Sequence, residues 1–282
     1  AELQASDPSL WPLVVESYRA RLAYGEQLRE REALASRHPH RPPHVEGPAP
    51  SVADSSAQSD PMSPWTEPRV ARLPTADSTL LVRTPAGNVL WDCVPVLTAE
   101  GRARLAELGG VRAVAVSHPH FYTGVALLAE AFGATAYLHA ADAQHVTHPS
   151  PRIEHWDGER LELFGGVTLV RAGGHFAGGT VLHWADGAGG RGALLTSDII
   201  RVVPDRRHVA FLYSYPNQIP LPVREVERIG AAVEPYAFDR IHGGWWGTTI
   251  QAGAKDAVRR SVERYRRAIA GRLDGVELPW PT

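Results

Sequence analysis

The pattern of apolar and polar positions changes character along the chain. Between Trp11 and Ser36, Val14, Tyr18 and Leu22 recur at helical spacing among Glu, Arg, Leu and Ala. This predicts a helix with a thin apolar stripe, one that docks on another surface instead of standing alone. Seven prolines then fall between His38 and Trp65, mixed with Ser, Ala and Asp. Such a stretch cannot build a core and reads as an extended linker or surface strap. From Val70 the texture is that of a packed domain. "VARL", "STLLVRT" and "NVLWDCV" are short strand-type runs, and "TAEGRARLAELGG" is a helix closed by paired glycines. Strands and helices then alternate through "VRAVAV", "GVALLAEAFG", "TAYLHA" and "AADAQHV". A second strand-rich stretch holds "RLELFG", "VTLVRAGG", "TVLHWADG" and "GALLTSD". Helix, strand and helix follow in "VREVERIGAAV", "FDRI" and the segment around "VRRSVERYRR". The expected organisation is an α/β fold of two face-to-face sheets with helices outside. It divides into a helical segment over 1–36, a strap over 37–66 and the main domain over 67–282.

Composition narrows the class. A chain of 282 residues, 44% hydrophobic, has ample material for one large core. A net charge of −2 gives no broad positive field, so neither nucleic acid nor an anionic membrane is an expected partner. The basic run near the C-terminus places Val258, Val262, Tyr265 and Ile269 at helical spacing, leaving Arg259, Arg260, Arg264 and Arg266 as a solvated face. The single cysteine, Cys93, excludes disulfides within the chain and a cysteine-based zinc knuckle. No apolar run approaches the roughly 20 residues that span a bilayer, and the start lacks a signal-peptide layout. The expectation is a soluble cytoplasmic protein acting on a small molecule; nothing in the sequence speaks to its oligomeric state.

The candidate chemistry lies where apolar strands end. "VRAVAV" runs into Ser117, His118, Pro119 and His120; "VTLVRAGG" into His175; "GALLTS" into Asp198; "FDRI" into His242. Strand ends of α/β folds converge on clefts. Pro119 disfavours helical geometry at His118, and in an extended segment His118 and His120 point the same way. Gly173 and Gly174 permit the tight approach that brings His175 in as a third imidazole. Three imidazoles and a carboxylate suit Zn²⁺, or Fe²⁺ as the alternative. The same tripeptide at His38 and His40 has no strand before it and reads as part of the strap.

The series "SHPHFYTG", "GGHFAGGTVLHW", "LLTSDII" and "IHGG" resembles the motif order of the metallo-β-lactamase superfamily, over about Arg69 to Leu273. The resemblance implies a four-layer αββα sandwich with a metal cleft along one edge of the sheets. By position it makes His118, His120 and His175 ligands of a first metal, Asp198 a carboxylate reaching both metals, and His242 a ligand of a second. Asp92 is placed to orient a ligand histidine from behind. The first motif departs from the family: Tyr122 and Thr123 stand where an aspartate and a histidine usually serve the second metal. This favours a single ion, with Thr123 behind the ligands. Tyr122 either acts at the site, by weak ligation or a hydrogen bond, or packs against the following helix. Trp245 and Trp246 form a pocket wall or part of the core, and "YSYPNQIPLP" is a loop that brings Tyr215 or Asn217 over the cleft.

Three functions compete on this reading. The first is a metal-dependent hydrolase of an ester, thioester, lactone or amide, with Asp198 or His242 as general base or proton shuttle. The second is an Fe²⁺ oxidative enzyme using His118, His175 and Asp198. The third is a binding or scaffold module with a vestigial centre.

Overall fold

The computed structural model describes residues 70–72, 79–93, 97–215, 217–245 and 247–272. The expected N-terminal helix and strap lie outside the described residues. Six strands form the first sheet in sequential order: β1 (Val70–Arg72), β2 (Leu80–Thr84), β3 (Gly87–Trp91), β4 (Ala113–Ala115), β5 (Thr135–His139) and β6 (Ile153–Trp156). The first three are antiparallel and β3 through β6 are parallel. The first two parallel crossovers are carried by helices α1 (Ala99–Glu107) and α2 (Val125–Phe132), and the third by a 3-10 segment over Ala140–His145. Thr98 caps α1 by accepting from the Gly101 N–H at 3.0 Å, and Gly133 closes α2 in the left-handed region at φ 63°.

The second sheet combines β7 (Arg160–Glu162), β8 (Val167–Arg171), β9 (Thr180–Trp184), β10 (Ala193–Ser197), β15 (Arg240–Gly243) and β16 (Thr249–Ile250), with β15 between β16 and β10. Two small ribbons lie between β10 and β15 in sequence: β11 (Arg201–Val202) with β12 (Val209–Ala210), and β13 (Leu212–Ser214) with β14 (Ile219–Pro220). Helices α3 (Val223–Val233) and α4 (Ala254–Ile269) complete the described chain.

Strand periodicity decides how these pieces stack. Successive strand residues face opposite ways, and the three core clusters divide by that parity. Leu80, Val82, Val89, Trp91, Ala113 and Ala115 of the first sheet meet Leu169, Leu182, Trp184 and Leu195 of the second. Their neighbours Leu81, Leu90 and Val114 turn outward against Leu105 of α1 and Val125 and Leu128 of α2. On the far side Val170, Val181, Leu194 and Ile241 meet Val226, Ile229 and Val233 of α3 and Val258 of α4. The result is the expected helix–sheet–sheet–helix stack. The central strands of both sheets are apolar on both faces, which is why they read as continuous hydrophobic runs. Among the described residues no helix is long and apolar enough to cross a membrane.

Candidate metal centre

Four side chains from three connections meet at one edge of the sandwich. The ligand atoms of His118, His120, His175 and Asp198 lie within 4.8 Å of one another. Four ligands at about 2.1 Å around a tetrahedral ion stand roughly 3.4 Å apart, so side-chain adjustment of about an ångström closes the set on a cation. His118, His175 and Asp198 are buried, and His120 is exposed.

Local structure explains each position. His118 ends the first connection in extended geometry, φ −169° and ψ 169°, and Pro119 opens a 3-10 segment over Pro119–Gly124. His120 therefore lies inside a turn, and the two rings converge by using different nitrogens: His118 Nε2 stands 3.1 Å from His120 Nδ1. This differs from the extended His-Pro-His expected from sequence, although Pro119 does hold His118 extended. His175 follows Gly173 and Gly174, both in the left-handed region at φ 65° and 83°. A Cβ at Gly173 would lie 2.1 Å from the Arg228 guanidinium, and one at Gly174 2.7 Å from Ile229. Helix α3 thus packs directly on the loop that delivers His175, and only glycine admits that contact. Asp198 follows a register shift between Leu195 and Ser197, with Ser197 itself at φ 48°.

The polarity of each imidazole is set from behind. His175 Nδ1 faces two carbonyls, Tyr213 O at 2.9 Å and Leu212 O at 3.2 Å. Carbonyls only accept, so Nδ1 carries the proton and Nε2 keeps its lone pair. That buried Nε2 has no hydrogen-bond partner, an expensive state that a cation would relieve. His118 Nδ1 lies 2.7 Å from Ser117 Oγ, and Asp92 accepts from the Ser117 N–H at 2.8 Å. Ser117 Oγ also lies within hydrogen-bonding reach of the Asp92 carboxylate. A proton on His118 Nδ1 pointing at Ser117, with the serine hydroxyl turned to Asp92, leaves Nε2 free to ligate. Burial holds all three imidazoles below their ordinary pKa, so they are neutral donors near pH 7. Burial raises Asp198; His120, Tyr215, Trp245 and Arg201 oppose it.

The remaining sequence candidates fall in different places. Tyr215 donates its hydroxyl to the Asp198 carbonyl at 2.9 Å, with its ring 5.4 Å from that of His175. Trp245 also hydrogen-bonds Asp198 and is partly exposed. Trp246 lies outside the described residues. Asn217 is exposed in the turn between β13 and β14, and Thr123 is exposed on the 3-10 segment. Tyr122 is buried in the cluster formed with α1 and α2, which matches the packing alternative. His242 is buried within β15, opposite Leu195, and is not one of the four converging groups. Sequence reasoning missed Ser117 as the link between Asp92 and His118. It also missed Phe176, whose ring stands 5.0–5.6 Å from those of His118, His120, His145 and His175. Arg201, stacked 5.0 Å over the Tyr215 ring, carried no spacing signal either.

Asp92 supplies a pH prediction. Its carboxyl is pushed from 3.8 to about 7, chiefly by burial. Ionising it in place costs on the order of 4 kcal/mol relative to the unfolded chain. The folded pKa is raised, and the group is an acid. In metal-stripped protein its contribution therefore becomes less favourable as pH rises from about 4 to about 7, and levels off above. Urea unfolding at pH 5 and pH 8 should show that decline, and Asp92→Asn should flatten it. In the metal-loaded protein the same substitution should weaken metal affinity by about 10–100-fold.

With this geometry in view, comparison with known proteins becomes informative. The chain aligns in structure with a B3 metallo-β-lactamase described as having an active-site glutamic acid, at 22% identity over 73% of this chain and 87% of that one, with a TM-score of 0.50. It aligns similarly with the metallo-β-lactamase SMB-1 in complex with mercaptoacetic acid, at 18% identity over 73% and 93% of the two chains and a TM-score of 0.51. The chain thus shares the four-layer fold of these metallo-β-lactamases. No protein-family model matches it. It is 45% identical over 208 residues to the uncharacterized protein YmaE of Bacillus subtilis (strain 168), covering 74% of each chain. It belongs to the same family as YmaE.

Proposed function

We propose that the protein is a metal-dependent hydrolase of a small ester, thioester, lactone or amide, built around one divalent ion. The observation that carries this reading is the buried, unpartnered Nε2 of His175, aimed into a group that already holds His118 Nε2, His120 Nδ1 and an Asp198 oxygen. Neutral imidazoles with one carboxylate are a donor set suited to zinc. When bound, the ion supplies Lewis-acid polarisation of a carbonyl oxygen. The chain's own groups hold and move protons around it. Asp198 lies against donors from Tyr215 and Trp245, and its carboxylate oxygen not used on the ion can take up and return a proton. His242, three residue positions along the neighbouring strand pair, is the second candidate for that role. The packed Tyr122 ring and the exposed Thr123 favour one ion, since neither adds to the converging group.

Elemental analysis of native protein beside His118→Ala tests the centre. One equivalent of zinc in the native protein and less than a tenth in the variant are expected, together with metal-dependent hydrolysis of p-nitrophenyl acetate. Stoichiometric iron with O₂ uptake after anaerobic purification would establish the oxidative reading in its place. Unchanged metal content in the variant would remove both.

A further inference from the structure

The ligands are polar, but their surroundings are not. Five large apolar side chains are exposed among the described residues: Leu127, Tyr213, Ile219, Trp245 and Ile269. Three of them stand on the two segments that hold the ligands in place. Tyr213, 61% exposed, lies on β13, and its own carbonyl accepts from His175. Ile219, 44% exposed, lies on the paired strand β14, where it faces Ser214 in register. Trp245, 39% exposed, turns its indole to Asp198. The Phe176 ring packs edge-on against His120 and His175 and adds apolar surface beside the imidazoles. The nearby cation, Arg201, lies over the Tyr215 ring and offsets Asp198. Ligand clefts combine apolar side chains with a few polar groups, and Tyr213, Ile219 and Trp245 stand on segments tied to the ligand residues by hydrogen bonds and strand pairing.

We propose, resting on the hydrolase reading above, that the substrate is an acyl ester or thioester whose medium-length acyl chain lies against Tyr213, Ile219 and Trp245. The hydrogen bonds that His175 donates to the β13 carbonyls and that Trp245 makes with Asp198 fix this apolar rim relative to the scissile carbonyl. Chain length is thereby read at a defined distance from the reacting atoms. Each methylene buried is worth about 0.8 kcal/mol when fully covered, close to a fourfold gain in affinity. On a rim open to water on one side, about twofold to threefold per methylene is expected.

Titration calorimetry of the zinc-loaded protein with acetate, hexanoate and octanoate reads this without turnover. Octanoate, six methylenes longer, should bind at least about sixtyfold more tightly than acetate. The double variant Tyr213→Ser/Ile219→Ser should lose most of that gain, with elemental analysis showing whether the centre is still loaded. Equal affinity for acetate and octanoate, including no binding of either, overturns the proposal, as does a chain-length gain that the variant keeps in full. Hydrolysis of p-nitrophenyl acetate and octanoate separates the two readings. A length-dependent affinity without hydrolysis removes the hydrolase and leaves the acyl site. Hydrolysis with no dependence on length in binding or turnover does the reverse.

Discussion

Replacing His175 by alanine is expected to destabilise the metal-loaded protein strongly and the metal-stripped protein hardly at all. In the metal-loaded native protein the ion binds only the folded state, so at a thousandfold excess over its dissociation constant it adds about 4 kcal/mol. For a domain of this size that raises the midpoint of thermal unfolding by roughly 8–16 °C, and a chelator should remove that increment. His175→Ala should remove nearly all of it at the same zinc concentration. Metal-stripped protein is a different case. There His175 Nε2 is buried without a partner, whereas His118 Nε2 can accept from a neutral His120 Nδ1–H at 3.1 Å. Burial lowers the pKa of His175, so protonation does not relieve its orphaned nitrogen. An unsatisfied buried donor or acceptor costs about 1–3 kcal/mol. Removing the His175 ring relieves that cost, against the loss of its bonds to Leu212 O and Tyr213 O. Metal-stripped His175→Ala should thus unfold within about 1 kcal/mol of metal-stripped native protein. Paired melts with and without zinc check both halves. Equal destabilisation in the two conditions would mean that the ring serves packing and that the group does not hold an ion.

What could be read from sequence follows the strength of periodic signals. The strands of the two-sheet core carried both parities of apolar residue, as in "TVLHW" and "ALLTS", and both sit where their patterns placed them. The glycine pair before His175 predicted a close approach, and Arg228 and Ile229 are the groups that approach. The weaker elements escaped. Strand β6 is half exposed, with Glu154 and His155 facing water, so its sequence lacks the hydrophobic run of its neighbours. Strands β11 to β14 are two or three residues long, too short for any period to register. The site divided in the same way. His118, His120, His175 and Asp198 stood at strand ends and could be named. Ser117 could not, because a serine beside a histidine acquires meaning only when Asp92, 25 residues earlier, folds against it. His242 sits within β15 instead of beyond its end, because the bulge after Leu195 lets β15 run alongside β10 as far as Gly243.

Gly192→Ala should be among the most disruptive single substitutions in the domain, and Gly190→Ala is its control. Both glycines are in the left-handed region, at φ 84° and 85°, so alanine pays a similar backbone cost of about 1–2 kcal/mol at each. Their surroundings differ. A Cβ at Gly190 meets nothing within 4 Å, whereas one at Gly192 would lie 1.9 Å from the Ala237 carbonyl oxygen. Neither atom can yield easily. Gly192 donates to Gly187 O at 2.9 Å, and its carbonyl accepts from the Asp239 N–H at 3.0 Å. The first closes the turn before β10 and the second holds the start of β10 against the start of β15, upstream of Asp198 on one strand and His242 on the other. Accommodating the methyl group requires separating the two strand entries and giving up those bonds. The total is expected to exceed about 3 kcal/mol, or roughly 6–12 °C in melting temperature. Gly190→Ala should cost about 1–2 kcal/mol. Because β10 positions Asp198, the damage should reach the site: Gly192→Ala is expected to weaken zinc binding at temperatures where it is still folded, and Gly190→Ala to leave it intact. Melting curves and zinc titrations on the pair measure both effects. Equal stability of the two variants would show that the β10–β15 entry can relax around a methyl group, and that Asp198 is not held by this register.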